Sequence, residues 1–497
     1  MDRVHCKFLM KQILKLLLAI SVFSLFKCAN ESPQQTKKKQ TLFNKIPSKQ
    51  SGLTFTNQIK PDFDFNILEY NYFYNGGGVA TADFNQDGLP DLFFTGNMVS
   101  SAFYLNKGDL QFEDVTQTAG LATDTWISGV SVVDINADGL LDIYLCASGY
   151  ADESKRKNLL YIHQGLDENG VPQFAEQAAA FGLADDGYST QAAFFDYDLD
   201  GDLDVYIATV HHDKSNPNLP KPKINDGSAP STDKLYENKS EQCKASDCQI
   251  AFEDVSKKAG ILKEGYGLGL AINDFNQDGW PDVFVANDFI YNDLLYINNQ
   301  DGTFREKAAS SFKHQGQFSM GTDVADINHD ALHELLVRDM LPEYYLRQKQ
   351  MNTAMNYDRF LMALDNGYIP QHSRNTLQLN QGILNEELHF SEVGQLAGIY
   401  QTDWSWSPLW ADFDMDGQLD LFVSNGIPKD ITDSDFIMYR DQQVRKGNFD
   451  YNALKTELLA KLEQLPPVDK SNYIFKNNGN LQFEDVTTDW GLREDSF

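Results

Sequence analysis

Short runs of alternating or uniformly apolar residues recur along this chain, and each follows a polar loop rich in Asp and Gly. Asp91-Leu-Phe-Phe-Thr and Asp282-Val-Phe-Val-Ala show the type, with β-branched and aromatic residues at the spacing of a strand. Ahead of each loop lies a lead-in of Gly and small apolar residues, as in Gly77-Gly-Val-Ala80 and Leu268-Gly-Leu-Ala271. After the post-loop strand comes a segment such as Ala102-Phe-Tyr-Leu-Asn106 or Leu294-Leu-Tyr-Ile-Asn298. A closing element follows: Phe112-Glu-Asp-Val115, Phe252-Glu-Asp-Val255, Phe390-Ser-Glu-Val393 and Phe483-Glu-Asp-Val486. Each unit thus predicts four short strands. Its recurrence, with loop starts 51, 62, 78, 52 and 86 residues apart, predicts an all-β propeller of four-stranded blades.

The loops carry the chemistry. Their pattern is Asp-x-Asn/Asp-x-Asp-Gly-x-x-Asp, first as Asp83, Asn85, Asp87, Gly88 and Asp91, then as Asp134, Asn136, Asp138, Gly139 and Asp142. The third copy is Asp196, Asp198, Asp200, Gly201 and Asp204, and the fourth Asp274, Asn276, Asp278, Gly279 and Asp282. The fifth is altered, with Asp326, Asn328, Asp330, Ala331 and Glu334, and the sixth is Asp412, Asp414, Asp416, Gly417 and Asp420. Side-chain oxygens at positions 1, 3, 5 and 9 can converge on one hard cation. The backbone carbonyl at position 7 adds a ligand, from Leu89, Leu140, Asp202, Trp280 and Gln418 in the intact copies. Calcium takes six to eight oxygens at about 2.3–2.6 Å in irregular geometry, which suits such a loop. Gly at position 6 supplies a positive φ. Ala331 and the longer Glu334 make the fifth loop the weak one, so five to six calcium ions are expected. An EF-hand is excluded: its closing Glu at position 12 is replaced by Phe94, Leu145, Ile207, Val285, Val337 and Val423.

Loop, glycine lead-in, Tyr-x-Asn and Phe-x-Asp-Val together resemble the FG-GAP/VCBS repeat over roughly residues 51–497. That resemblance implies an integrin-α-type β-propeller whose inter-strand loops bind calcium. Asp339-Met-Leu-Pro-Glu343, Asn356-Tyr-Asp-Arg-Phe360, Leu364-Asp-Asn-Gly-Tyr368 and Thr402-Asp-Trp-Ser-Trp406 are similar to envelope-associated VCBS-repeat proteins of Gram-negative bacteria. Such proteins often continue into further repeats and an ASPIC/UnbV module. Leu53-Thr-Phe-Thr56 resembles an isolated fourth strand, which implies a seven-bladed design with a truncated last blade closed by the N-terminal strand. The alternative is a complete six-bladed ring with that strand spare.

A formal charge of −31 excludes a nucleic-acid role, because phosphates need a basic surface. Residues 1–27 read as an export signal: Arg3, Lys7, Lys11 and Lys15 precede an apolar core from Leu16 to Phe26, too short to span a bilayer. Cys28 and the polar residues after it resemble a bacterial lipoprotein signal, although Lys27 departs from the usual small residue. Residues 28–50 then form a linker. The expected address is the outer membrane or periplasm, with membrane contact only through a lipid on Cys28. Cys146 reads as a buried strand residue. Cys243 and Cys248 flank a short polar turn and form a local disulfide or remain two thiols, the first being favoured in an exported protein.

Insertions fall at 211–250, 341–373 and 430–467, the last two with helical patterns. They either cap the ring or build a binding face on it. His211-His212-Asp213 starts the first insertion without an identifiable catalytic partner. Trp404, Trp406 and Trp410 read chiefly as blade core, with sugar stacking as the alternative. The expected function is a non-enzymatic, calcium-binding envelope scaffold for glycans or partner proteins. A propeller-type polysaccharide lyase is the competing expectation.

Overall fold

Six antiparallel sheets form in chain order, each with its four strands hydrogen-bonded in sequence. The structure is a computed structural model that describes residues 41–212, 216–240, 250–351, 356–447, 450–468, 470–493 and 495–496. The export signal, Cys28, Asp213, Cys243 and Cys248 lie outside the described residues. Phe43–Phe497 makes up one compact unit.

The second strands explain the apolar runs. Asp204–Val210 is buried along its whole length because successive side chains enter different interlayer cores. Val205 and Ile207 pack with Tyr144, Cys146 and Leu160 of the second sheet, whereas Tyr206 and Ala208 pack with Val283, Val285 and Tyr296 of the fourth. Equivalent cores fill the space between first and second, fourth and fifth, and fifth and sixth sheets. Cys146 is buried and free, as its strand position predicts.

First strands of consecutive sheets lie against one another: Val79–Ala82, Ile127–Val133, Tyr188–Phe195, Gly267–Asn273, Thr322–Ala325 and Asp403–Ala411. First strands packed side by side in successive four-stranded sheets are the arrangement of propeller blades. The lead-in glycines permit this approach. A Cβ on Gly129 would stand 2.4 Å from the Thr190 carbonyl oxygen, and one on Gly321 2.5 Å from that of Trp406.

The sixth sheet owns four strands, Asp403–Ala411, Asp420–Asn425, Tyr473–Asn477 and Phe483–Asp485, and borrows Met340–Leu341 as a fifth. No seventh four-stranded sheet forms among the described residues, and the N-terminal chain does not complete the sixth. Leu53-Thr-Phe-Thr56 is not a strand. It lies against the first sheet, where Phe55 stacks on Phe94 at 5.3 Å and the Thr54 N–H donates to the Tyr104 hydroxyl. The blade signature lies just before it. Ser48–Ser51 forms a helical turn capped by Gly52 at φ 78°, like Thr116–Ala119 with Gly120 and Ser256–Ala259 with Gly260 after their fourth strands. Gly52 sits against the Phe112 carbonyl as Gly182 sits against that of Phe252. Phe43 donates its N–H to the Trp490 carbonyl at 2.8 Å, so residues 43–52 link the end of the sixth sheet to the first.

Candidate functional site: acidic loops and a face cavity

All six loops fold alike. The position-1 carboxylate accepts two backbone N–H groups: Asp83 Oδ1 from Asp87 at 3.0 Å and Oδ2 from Gly88 at 2.8 Å, repeated in the fifth loop by Asp326 with Asp330 and Ala331. Position 6 has positive φ throughout, and Ala331 reaches 67° where the glycines lie between 85° and 99°. The substitution therefore leaves the fifth loop's shape intact at a strain of roughly 1–2 kcal/mol. Position 4, which carries no sequence signal, is left-handed in every copy: Gln86, Ala137, Leu199, Gln277, His329 and Met415.

Position 9 is a buried brace. Asp204 Oδ2 accepts the Tyr197 N–H at 3.2 Å and its Oδ1 accepts the Asn238 N–H at 2.8 Å; Asp91, Asp142, Asp282 and Asp420 repeat the pair. Glu334 keeps the Ile327 N–H at 3.0 Å, but its Oε1 is left without a well-formed hydrogen bond. Burial pushes the Asp204 carboxyl up to about 8, against the lowering effect of those amides, and Asp198 and Asp202 add to the rise. Asp282 is pushed up to about 7 and Asp91 and Asp142 to about 6, again chiefly by burial.

The loops differ at position 3. Where it is Asn, its Nδ2 donates to the position-5 carboxylate, as from Asn85 to Asp87 at 3.0 Å and from Asn276 to Asp278 at 2.9 Å. Where it is Asp, that amide is missing and carboxylates gather. Carboxylate oxygens of Asp196, Asp198 and Asp204 lie within 4.8 Å of one another, as do those of Asp412, Asp414 and Asp420. Asp198 Oδ1, Asp202 Oδ1 and Asp414 Oδ1 are buried and accept no hydrogen bond. Converging, unsatisfied carboxylate oxygens are a donor set that could hold a hard divalent cation.

The Tyr-x-Asn motif has a role that its sequence did not reveal. The Asn298 side chain donates from Nδ2 to the Tyr197 carbonyl of the preceding blade's loop at 2.8 Å. Asn380 and Asn477 do the same to Phe275 at 3.0 Å and to Ile327 at 3.2 Å. In the second blade His163 stands in the Asn place, its Nε2 3.2 Å from the Phe84 carbonyl oxygen.

A cavity of about 590 Å³ opens on the same unit, built from segments far apart in the chain. Most of residues 67–75 (not Tyr70 or Phe73), with His212, Phe289, Phe318, Met320, Trp404, Trp406 and the helix Ser434–Arg445, line it. Trp404 is buried and its Nε1–H has no partner, while Trp406 donates from Nε1 to the Gly426 carbonyl at 2.7 Å. Polar groups at the cavity include Glu69, Asn75, Asp288, Arg359, Arg440 and Asp441. Of the three tryptophans read as blade core, Trp410 packs between sheets and Trp404 lies in a buried cluster with Phe318, Met320, Met340 and Ile427, against which Trp406 packs; Trp404 and Trp406 also line the cavity. His212 lines it too, beside the ring of Tyr70. Among the described residues no helix is long and apolar enough to cross a membrane.

A family model described as FG-GAP-like repeat matches residues 73–145 and 274–337. Human cartilage acidic protein 1 is 24% identical over 282 residues, covering 55% of this chain and 40% of that protein. Its mouse counterpart is 27% identical over 283 residues with the same coverage, so the chain spans about 40% of the length of these curated relatives. The crystal structure of the V. cholerae biofilm matrix protein Bap1 aligns at TM-score 0.30 and 14% identity, over 64% of this chain and 39% of that one, a likeness too distant to inform the fold.

Proposed function

From a chain built of FG-GAP-like repeats, we propose an exported, non-catalytic binding scaffold whose loops take calcium and whose face cavity takes a saccharide. The observation that carries the reading is the cavity: about 590 Å³, concave, walled by Trp404, Trp406, Tyr72 and Phe289, with a few charged and amide side chains at its edge. Aromatic faces bind the apolar face of a sugar ring, and sparse polar groups fix hydroxyls, which is the usual make-up of a selective small-ligand pocket. The unpartnered indole N–H of Trp404 offers a ready donor. Calcium in the loops, at residues outside the cavity, would brace the blade edges that carry it. Cys28 supplies the envelope anchor in this reading.

Titration with neutral and acidic oligosaccharides, followed by tryptophan fluorescence, tests it. Saturable quenching by at least one saccharide is expected, lost in Trp406→Ala with the fold retained by circular dichroism. A flat response across the panel, or binding undiminished by Trp406→Ala, removes the cavity from consideration. Unsaturated sugar products during the same incubation would make the site a lyase instead.

A further inference from the structure

One strand position decides what stands beside each acidic loop. The Asn or His whose N–H binds the position-9 carboxylate fixes the register, and the residue just before it reads Leu105, Ile162, Glu237, Ile297, Leu379 and Lys476 from first blade to sixth. Four are apolar; only the third and sixth carry charge. These are the two blades whose loops have Asp in place of Asn at position 3.

In the sixth blade the Lys476 ammonium contacts Asp414 and lies 2.7 Å from Asp416 Oδ2, bridging positions 3 and 5 where other loops use an Asn amide. In the third blade neither a side-chain amide nor an ammonium bridges the carboxylates of Asp198 and Asp200. Glu237 occupies the lysine's place there. Its Oε1 pairs with Lys239 at 2.5 Å, and its Oε2, 3.6 Å from the Lys258 ammonium, accepts no hydrogen bond.

Resting on the reading that these loops take calcium, we propose that Lys476 is the sixth loop's resident cation, excluding calcium from it, and that Glu237 makes the third loop the tightest site. A calcium ion entering the sixth loop must displace an ammonium already paired with two of its carboxylates. One entering the third finds an unbridged pair and, beside it, a Glu237 oxygen that accepts no hydrogen bond. Equal-looking repeats thereby become unequal.

Native mass spectrometry of the full chain with calcium, joined to terbium luminescence, tests this. The Lys476 ammonium lies 5.9 Å from the Trp490 ring centroid, so terbium bound in the sixth loop falls within sensitising range of that indole. Lys476→Leu should bind one more calcium per chain than wild type and gain terbium emission that Trp490→Phe abolishes. Lys476→Arg, which keeps the charge, should behave as wild type. Glu237→Leu should weaken the tightest calcium at least tenfold. Equal calcium counts in wild type and Lys476→Leu, or Trp490-dependent emission already in wild type, overturns the lysine's role alone. No calcium in any of these proteins overturns the loop reading itself, and this proposal with it.

Discussion

Asp293 shows what burial does to one carboxylate. It is almost wholly buried, its Oδ1 accepting the Asn287 N–H at 2.9 Å and its Oδ2 the Ser319 hydroxyl at 3.2 Å. Burial pushes it up to about 8, with Asp339 adding to the rise, and burial likewise takes Asp288 to about 7. An unfolded Asp titrates near ~3.9, so between that pH and about 8 the folded state holds a proton that the unfolded chain has lost. The stability this group contributes is full below the unfolded value and is lost as pH rises through the folded one. Metal-depleted protein should therefore lose stability between pH 6 and 8, on the order of 1 kcal/mol per pH unit for such a group. Asp293→Asn keeps an acceptor for Asn287 and a partner for Ser319 but cannot ionise. Its melting temperature should depend less steeply on pH across that window, and an unchanged slope counts against the burial argument.

Among elements, the third strand does more than fill a sheet. Its Asn ties one blade's loop to the next, and Asn298 is 3% exposed where it reaches Tyr197. Asn298→Ala leaves a buried carbonyl without its donor, a loss of about 1–3 kcal/mol. Asn478→Ala, two blades on and exposed, should change the melting temperature little; equal losses in the two variants would falsify the clamp. How much of this was legible follows from where each signal lives. The glycine at position 6 is visible because only a missing Cβ makes that φ easy, whereas position 4 reaches the same region in Gln, Ala, Leu, His and Met because the loop's own hydrogen bonds impose it. Leu53–Thr56 alternates like a strand, yet the blade signature nearby is the helical turn and Gly52, too short to show a period. Trp404 and Trp406 were visible as aromatic residues but not as cavity wall, since the opposing wall comes from residues 67–75 and the helix Ser434–Arg445.

At the scale of the whole molecule, calcium that binds only folded loops should stabilise every blade it touches by mass action. Chelation should lower the melting temperature. Asp278→Ala should remove more of the calcium-dependent part than Asp330→Ala, because the fifth loop combines a strained Ala331 with a Glu334 oxygen left without a well-formed hydrogen bond. A differential scan of both variants with and without calcium reads this directly, and the reverse order would show that the fifth loop is no weaker. The segment at residues 43–75 has a further consequence, one of timing. Phe43 holds the Trp490 carbonyl, and Glu69 accepts the Tyr451 hydroxyl at 2.7 Å and pairs with Lys455 at 2.5 Å. Contacts this far apart in the chain close late, after the loop entropy between them has been overcome. The N-terminal segment can lie on the first sheet early, but its ties to residues 451–490 and the cavity wall they help build form only once the sixth sheet and its helices are made.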